Sequence, residues 1–335
     1  MPNESDVMVS VICLTYNHEK FIRNTLEGFI MQKTDFPFEV FVHDDASTDN
    51  TAAIIREYAE KYPNIIKPIY QKENQYSKHK GIVKNYIYPL MKGKYIAWCE
   101  GDDFWADSNK LQMQVEILSE NRDCIACFSR VAIVDYFGEM TGRYIPEFNR
   151  NDFIFDKDSY FKYCLYPSKI RNLPFQISGL MVKRETYADY ITNPPPFRSG
   201  FEVGDIPLFL FLGLVGNIYY LSKITSNYRV GNPNSWVGQN KGNLSIMKKH
   251  MESENKGLIL FDNYTEQKYH SFVEKGVNRR KFLVYQKEHN IKKMRQPEMK
   301  EFYQTLSKQR IITHYIAHYF PGMANFLKKL LNRDG

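Results

Sequence analysis

The stretch Tyr95-Ile-Ala-Trp-Cys-Glu-Gly-Asp-Asp-Phe-Trp105 sets an apolar run against a cluster of carboxylates. Tyr95–Cys99 is short and apolar throughout, the pattern of a strand buried on both faces. The acidic group Glu100-Gly101-Asp102-Asp103 follows at once. Adjacent carboxylates repel, at a cost in free energy unless a cation lies between them. An Asp–Asp pair at a strand end is thus a natural seat for Mg²⁺ or Mn²⁺. Such a cation accepts one or two carboxylates and completes its octahedron with phosphate oxygens and water.

Working outward, residues 8–134 alternate between two kinds of segment. Met8–Leu14, Phe38–Val42, Ile65–Tyr70, Tyr95–Cys99 and Cys124–Val134 read as buried strands. Glu19–Gln32, Asn50–Lys61, Gly81–Met91 and Asp107–Ser119 read as helices, with Asp49 or Asn50 available to cap the second. This alternation predicts an α/β fold, a mostly parallel sheet with helices on both faces. In such sheets ligands bind beyond the carboxyl ends of the strands. Three polar clusters converge there: Thr15-Tyr16-Asn17, Asp44-Asp45-Ala-Ser-Thr-Asp49 and Glu100–Asp103. Neither GxxxxGK[ST] nor GxGxxG occurs, so backbone amides of a glycine-rich loop are not expected to cradle phosphate. Turn formation and helix capping are the plainer reading of the Asp44–Asp45 pair, and a solvated loop that of Asp102–Asp103.

Beyond Gly138 the pattern loosens. Residues 141–155 read as a loop, Asp156–Tyr166 as a helix, Gln176–Val182 as a strand, Asp205–Leu214 as a helix and Ile218–Leu221 as a strand. Gly231–Gly242 reads as a mobile loop, and the chain from Asn243 onward as helical, basic and Tyr-rich.

Three motifs in order carry a resemblance: Val9-Ser-Val-Ile-Cys-Leu-Thr-Tyr-Asn17, Val42-His-Asp-Asp-Ala-Ser-Thr-Asp-Asn-Thr51 and Tyr95-Ile-Ala-Trp-Cys-Glu-Gly-Asp-Asp-Phe-Trp105. Together they resemble glycosyltransferase family 2. The likeness is good over residues 7–135, weaker over 136–230 and absent from about the last 95 residues. It implies the GT-A fold and a metal-dependent, inverting transfer of a sugar from a UDP-sugar to an acceptor hydroxyl. It implies that Tyr16 sets its ring against the base, flanked by Thr15 and Asn17, and that Asp45 accepts the base N3–H. By the same likeness Asp103 is the metal ligand and Asp102 contacts ribose or a metal-bound water. A cation near the nucleotide would come from among Lys78, His79, Lys80 and Lys84, with Lys80 standing for the group. Asp205, in Glu202-Val-Gly-Asp205, matches the catalytic base, with Glu202 as its substitute; a plain helix N-cap is the other reading of Asp205. Arg229 would face the diphosphate and Trp236 would stack on a sugar. The lid loop lacks the His that the family often has there; the first His downstream is His250.

The implied organisation is a nucleotide-sugar half (1–135), an acceptor half with a lid (136–240) and a basic helical region (241–335). Residues 241–335 hold 19 Lys and Arg against 9 Asp and Glu, net +10, whereas residues 1–240 are net −3. Such asymmetry points to an anionic partner for the tail. Its final segment, Ile311–Leu331, reads either as an amphipathic piece on a membrane surface or as a helix packed on the body or on a second copy in a homodimer. No apolar run reaches the roughly 18 residues of a spanning helix. The polar start Met1–Asp6 is not that of a secretory signal. Five irregularly spaced cysteines fit a reducing cytoplasm, with Cys124 and Cys127 as two thiols in an apolar strand. The expected setting is therefore cytoplasmic, at the inner face of the membrane if the tail binds lipid. The acceptor implied is a glycan or lipid-linked glycan of bacterial surface polysaccharide. The competing readings are a nucleotidyltransferase on a related sheet and a basic-tail nucleic-acid-binding protein. No nucleic-acid signature accompanies the tail, and the body is net negative, so nucleic acid is not expected as a partner.

Overall fold

A computed structural model describes residues 7–78, 81–148, 150–166, 174–202, 204–233, 235, 238 and 242–322. The chain divides into two compact units. The first comprises Met1–Cys164, Ser168–Pro195 and Leu208–Asn232, and the second Leu165–Pro167, Pro196–Pro207 and Pro233–Gly335.

The first unit is built on one sheet. Its strands are β1 (Val9–Thr15), β2 (Phe38–Asp44), β3 (Ile66–Tyr70), β4 (Tyr95–Trp98), β5 (Phe104–Trp105), β6 (Cys124–Val134), β7 (Met140–Ile145), β8 (Phe153–Ile154), β9 (Leu180–Lys183) and β10 (Asn217–Arg229). Their order is β3-β2-β1-β4-β9-β6-β10-β5, with β7 on β6 and β8 on β10. The β3-β2-β1-β4 side is parallel. β9 runs antiparallel between β4 and β6, and β10 is again parallel to β6. The sheet is thus mixed, and its parallel part carries the three strand ends singled out by the sequence.

Val9, Val11, Ile12 and Cys13 are all buried, as expected of an inner strand covered on both faces. Helix α1 (Ile22–Ile30) buries Ile22, Leu26 and Phe29, a helical stripe. Helix α2 (Thr51–Lys61) buries Ile55 and Tyr58, and α3 (Lys110–Glu120) buries Leu111, Val115 and Leu118. These side chains join those of β1, β2 and β4 in one hydrophobic core.

Several local expectations change. Residues 81–91 do not form an α-helix but a short wide turn, Val83–Ile87, and a 3₁₀ turn, Tyr88–Leu90. Pro89 lacks the N–H that an α-helical ladder needs. The loop expected over 141–155 contains β7 and β8. β7 is a largely exposed strand at the margin of the sheet, so no apolar alternation marks it. The strand expected from Gln176 begins at Leu180, because Ile177–Gly179 is a 3₁₀ turn. The final strand runs on to Arg229, through register irregularities after Leu221 and Ile224. Helices α4 (Lys157–Leu165), α5 (Arg184–Thr192) and α6 (Asp205–Val215) complete the path. All five cysteines are buried and free.

The second unit is helical, with long helices at Leu244–Tyr264, His270–Lys287 and Lys308–Tyr319. Phe282, Ile291, Met294, Met299 and Phe302 form a small core within it. No helix among the described residues is long and apolar enough to cross a membrane.

Candidate active site

The rim at the carboxyl ends of β1, β2 and β4 is knitted by side chains that cross between loops. Asn17 has φ 55°, a left-handed conformation that Asn tolerates better than most residues. Its N–H donates to Ser47 Oγ at 2.9 Å, and its Oδ1 accepts the Thr48 N–H at 2.8 Å. The His18 N–H donates to Thr51 Oγ1 at 2.8 Å. Asp49 accepts the N–H groups of Thr51 and Glu19, so the β2 loop and the β1 loop are fixed together. The Asp49 carboxylate caps α2, whereas the Asn50 side chain makes no capping bond.

Asp45 is buried, and both of its carboxylate oxygens are engaged. Oδ1 accepts the Gln75 N–H at 2.7 Å and Oδ2 the Tyr76 N–H at 2.9 Å. It therefore organises the segment after β3. Tyr16, by contrast, is 44% exposed, a ring standing free at the rim. Thr15 is buried, and its carbonyl accepts the Asp45 N–H at 3.0 Å.

The β4 end separates two neighbouring carboxylates. Asp103 is 1% exposed. Its Oδ1 accepts the backbone N–H of Arg229 at 2.9 Å and its Oδ2 accepts Gln176 Nε2 at 3.2 Å. Burial, with the charges of Asp102 and Glu100 added, pushes its pKa well above the carboxylate range. Asp102 keeps 17% of its side chain exposed, and its Oδ2 lies 3.9 Å from His18 Nε2. The turn itself is held from α1: Thr25 Oγ1 lies within hydrogen-bond reach of the carbonyls of Gly101 (3.0 Å) and Asp103 (2.6 Å). Gly101 is required there. A Cβ at this position would lie 2.6 Å from Thr15 Cβ and 2.8 Å from His18 Nδ1.

Arg229 does not turn its guanidinium outward as expected. Its Nε donates to the Asp102 carbonyl at 2.9 Å and Nη1 to the Tyr136 carbonyl at 2.8 Å. The group sits over the rings of Phe21 (4.8 Å) and Phe104 (5.3 Å). It is a brace between the Asp102 turn and the β6–β7 hairpin. Buried backbone carbonyls need donors, and the planar fork of Arg meets two at once.

The fit of a divalent cation follows from these donors. Asp103 already serves two protein donors from a buried position, whereas Asp102 opens to the rim beside the exposed Glu100. Among the described residues no group of three or more His, Cys, Asp and Glu is placed to hold a metal ion. One or two carboxylates are what a hard cation shared with a diphosphate takes from a protein. The donor set fits that arrangement and no all-protein cage.

Asp205 and Glu202 lie in the second unit. Asp205 is the first residue of α6, half-buried, and desolvation raises its pKa from 3.8 to about 6. Glu202 is engaged by its neighbours: Lys249 Nζ lies 3.2 Å and His250 Nδ1 3.7 Å from its carboxylate. Lys80 and Trp236 lie outside the described residues. His18, Thr25 and Gln176 carry no strand-end motif, so the sequence did not single them out. Of these only His18 is adjacent to one, following Asn17 directly.

Comparison with known proteins bears on this geometry. The model of the family described as Glycosyl transferase family 2 matches residues 10–182, which covers β1 through β9 and all three rim clusters. The chain belongs to glycosyl transferase family 2. The uncharacterized protein Rv1520 of Mycobacterium tuberculosis is 38% identical over 150 residues, covering 44% of this chain and 42% of that protein. The UDP-Glc:alpha-D-GlcNAc-diphosphoundecaprenol beta-1,3-glucosyltransferase WfgD of Escherichia coli is 29% identical over 116 residues, 35% of this chain and 43% of that one. The chain thus spans less than half the length of these curated relatives. Among solved structures, S. aureus TarS 1–349 in complex with UDP aligns over 92% of this chain and 78% of that one, with TM-score 0.54 and 19% identity. That likeness shows the fold, and it extends beyond the family 2 segment into the helical region.

Proposed function

We propose that this family 2 chain transfers a sugar from a UDP-sugar to an acceptor hydroxyl, with inversion at the anomeric carbon, in the assembly of a cell-surface glycan. The observation that carries the reading is the rim: an exposed Tyr16 ring and an open Asp102 carboxylate, held by cross-braced loops at the ends of β1, β2 and β4. An exposed ring and a carboxylate that reaches the rim suit a base and a diphosphate-bound cation. TarS in complex with UDP supports the same donor class, and the name of WfgD supports a UDP-sugar donor and a lipid-linked glycan acceptor.

In this reading Tyr16 stacks on the uracil. Asp45 acts from behind, by fixing residues 75 and 76, with its second lone pairs left for a base N–H. Asp102, with Glu100 beside it, would hold Mn²⁺ or Mg²⁺, and Asp103 would hold the turn that presents them. The cation supplies Lewis-acid neutralisation of the diphosphate leaving group. Asp205 takes the proton of the acceptor hydroxyl as that oxygen attacks. A carboxylate with a pKa near 6 is a stronger base than an ordinary one and is still ionised at neutral pH. No covalent intermediate on the protein is needed.

Release of UDP from UDP-glucose, UDP-galactose and UDP-N-acetylglucosamine tests the reading. Turnover of at least one is expected with Mn²⁺, and a fall of about 10²–10⁴-fold in Asp205→Asn with UDP affinity unchanged. Turnover equal in Asp205→Asn and wild type would remove Asp205 from the mechanism. No turnover of any UDP-sugar, with acceptor glycans present, would remove the donor class.

A further inference from the structure

The turn that closes the His270–Lys287 helix places His289 at φ 52°, a left-handed position that glycine usually takes. The chain keeps an imidazole there, and a second one meets it from the Lys308–Tyr319 helix. His289 Nδ1 lies 2.9 Å from His314 Nδ1, with ring centroids 5.0 Å apart. Both residues are partly buried. A hydrogen bond between two Nδ1 atoms takes one protonated and one bare nitrogen. One lone pair therefore already points into the gap. Burial, with the charges of His289 and Arg310 added, holds the His314 imidazole below its usual pKa. That favours the neutral form, the one that ligates metals.

We propose that His289 and His314 are the two protein ligands of a divalent transition cation of the Zn²⁺ class, which clasps the Lys308–Tyr319 helix to the turn after the His270–Lys287 helix. Two nitrogens on a tetrahedral Zn²⁺, at Zn–N distances of about 2.0–2.1 Å, stand about 3.3–3.4 Å apart. The pair has only to open slightly to admit the ion. Zn²⁺ then takes the place of the shared proton, and the ring that gives it up is reprotonated on Nε2 from solvent. Imidazole nitrogen selects Zn²⁺, Ni²⁺ and Cu²⁺ over Mg²⁺, so this seat differs in kind from the carboxylate rim. His318 stands at i+4 from His314, the spacing at which helical histidines share a zinc. Its ring here lies edge-on to Tyr319, centroids 4.7 Å apart, so the protein supplies two nitrogens and water the remainder. A clasp has a use at this helix. None of its side chains is fully buried, and the partly buried ones are Ile311, His314, Ile316, Ala317 and His318. A helix with so little burial draws little stability from apolar packing.

The proposal stands apart from the sugar-transfer reading and is tested without nucleotide. The full chain, stripped of metal, is titrated with Zn²⁺ by calorimetry. Wild type is expected to bind one equivalent, and amide hydrogen exchange over residues 308–319 should slow as it does. His289→Gln and His314→Gln should each weaken binding by about 100-fold or more, beyond what loss of a merely supporting residue costs. Both variants lose only a partly buried hydrogen bond, so their metal-free melting temperatures should stay close to that of wild type. Asp102→Asn should bind Zn²⁺ as wild type does. With Cu²⁺ as the probe, the electron paramagnetic resonance spectrum should show coupling to two imidazole nitrogens, reduced to one in either His variant. No binding of Zn²⁺ by wild type, or undiminished binding by either His variant, would overturn the proposal. So would loss of binding in Asp102→Asn, which would assign the ion to the rim.

Discussion

Asp102 and Asp103 are adjacent in the chain and have opposite surroundings, so their substitutions should separate. In Asp103→Asn one of two buried donors, the Arg229 N–H or Gln176 Nε2, faces an amide NH₂. Gln176 has little freedom to turn, because its Oε1 accepts the Ile177 N–H at 3.0 Å. A loss of about 1–3 kcal/mol is expected, read as a lower denaturant midpoint. Asp102→Asn should leave the midpoint unchanged and weaken nucleotide binding in the presence of Mn²⁺. Asp205 adds a pH signature. Its folded-state pKa, about 6, lies above the ordinary 3.8. Its contribution to stability is therefore fully present below about pH 4 and is lost as pH rises through 6. Activity should run the other way, rising with pH through an apparent pKa near 6, and Asp205→Asn should abolish that limb of the profile. The sequence revealed which residues were chemically charged and, to within two residues, where β1, β2 and β4 ended. It did not reveal which carboxylate faced inward, because Gln176 and Arg229 reach Asp103 from far along the chain.

Among the elements, the parallel strands and helices α1–α3 were legible because each shows its own period. β1 is buried at every position but Leu14, and α1 shows a stripe of Ile22, Leu26 and Phe29. β7 was not legible, since a mostly exposed strand has no apolar alternation, and Pro89 undid a helix whose pattern otherwise looked adequate. The Glu100–Asp103 turn depends on three supports: Thr25 of α1, Gln176 before β9 and Arg229 at the end of β10. Gly101 lets that turn lie against Thr15 and His18. Gly101→Ala should cost about 1–3 kcal/mol through overpacking, checked by denaturant unfolding, and should lower nucleotide affinity with it. Arg229→Ala should act on both the Asp102 turn and the Asp135–Glu139 hairpin tip, which the guanidinium joins through the carbonyls of Asp102 and Tyr136. Faster amide hydrogen exchange in both segments is the expected readout.

At the scale of the whole molecule, the charge of the sequence is uneven, whereas the second compact unit draws on Leu165–Pro167 and Pro196–Pro207 as well as on the chain from Pro233 onward. The body, net negative over residues 1–240, contains the family 2 segment, and the described part of the basic remainder is helical. The central claim concerns the rim: a nucleoside-diphosphate site in which Asp102 and a divalent cation act together. Its most direct test is thermal unfolding with UDP, in Mn²⁺ and in EDTA, for wild type and Asp102→Asn. Ligand at about 100 times its Kd should stabilise wild type by about 2.7 kcal/mol in Mn²⁺. The account predicts that this shift disappears in EDTA and in Asp102→Asn. No shift of wild type with UDP and Mn²⁺, or an equal shift in Asp102→Asn, would contradict it.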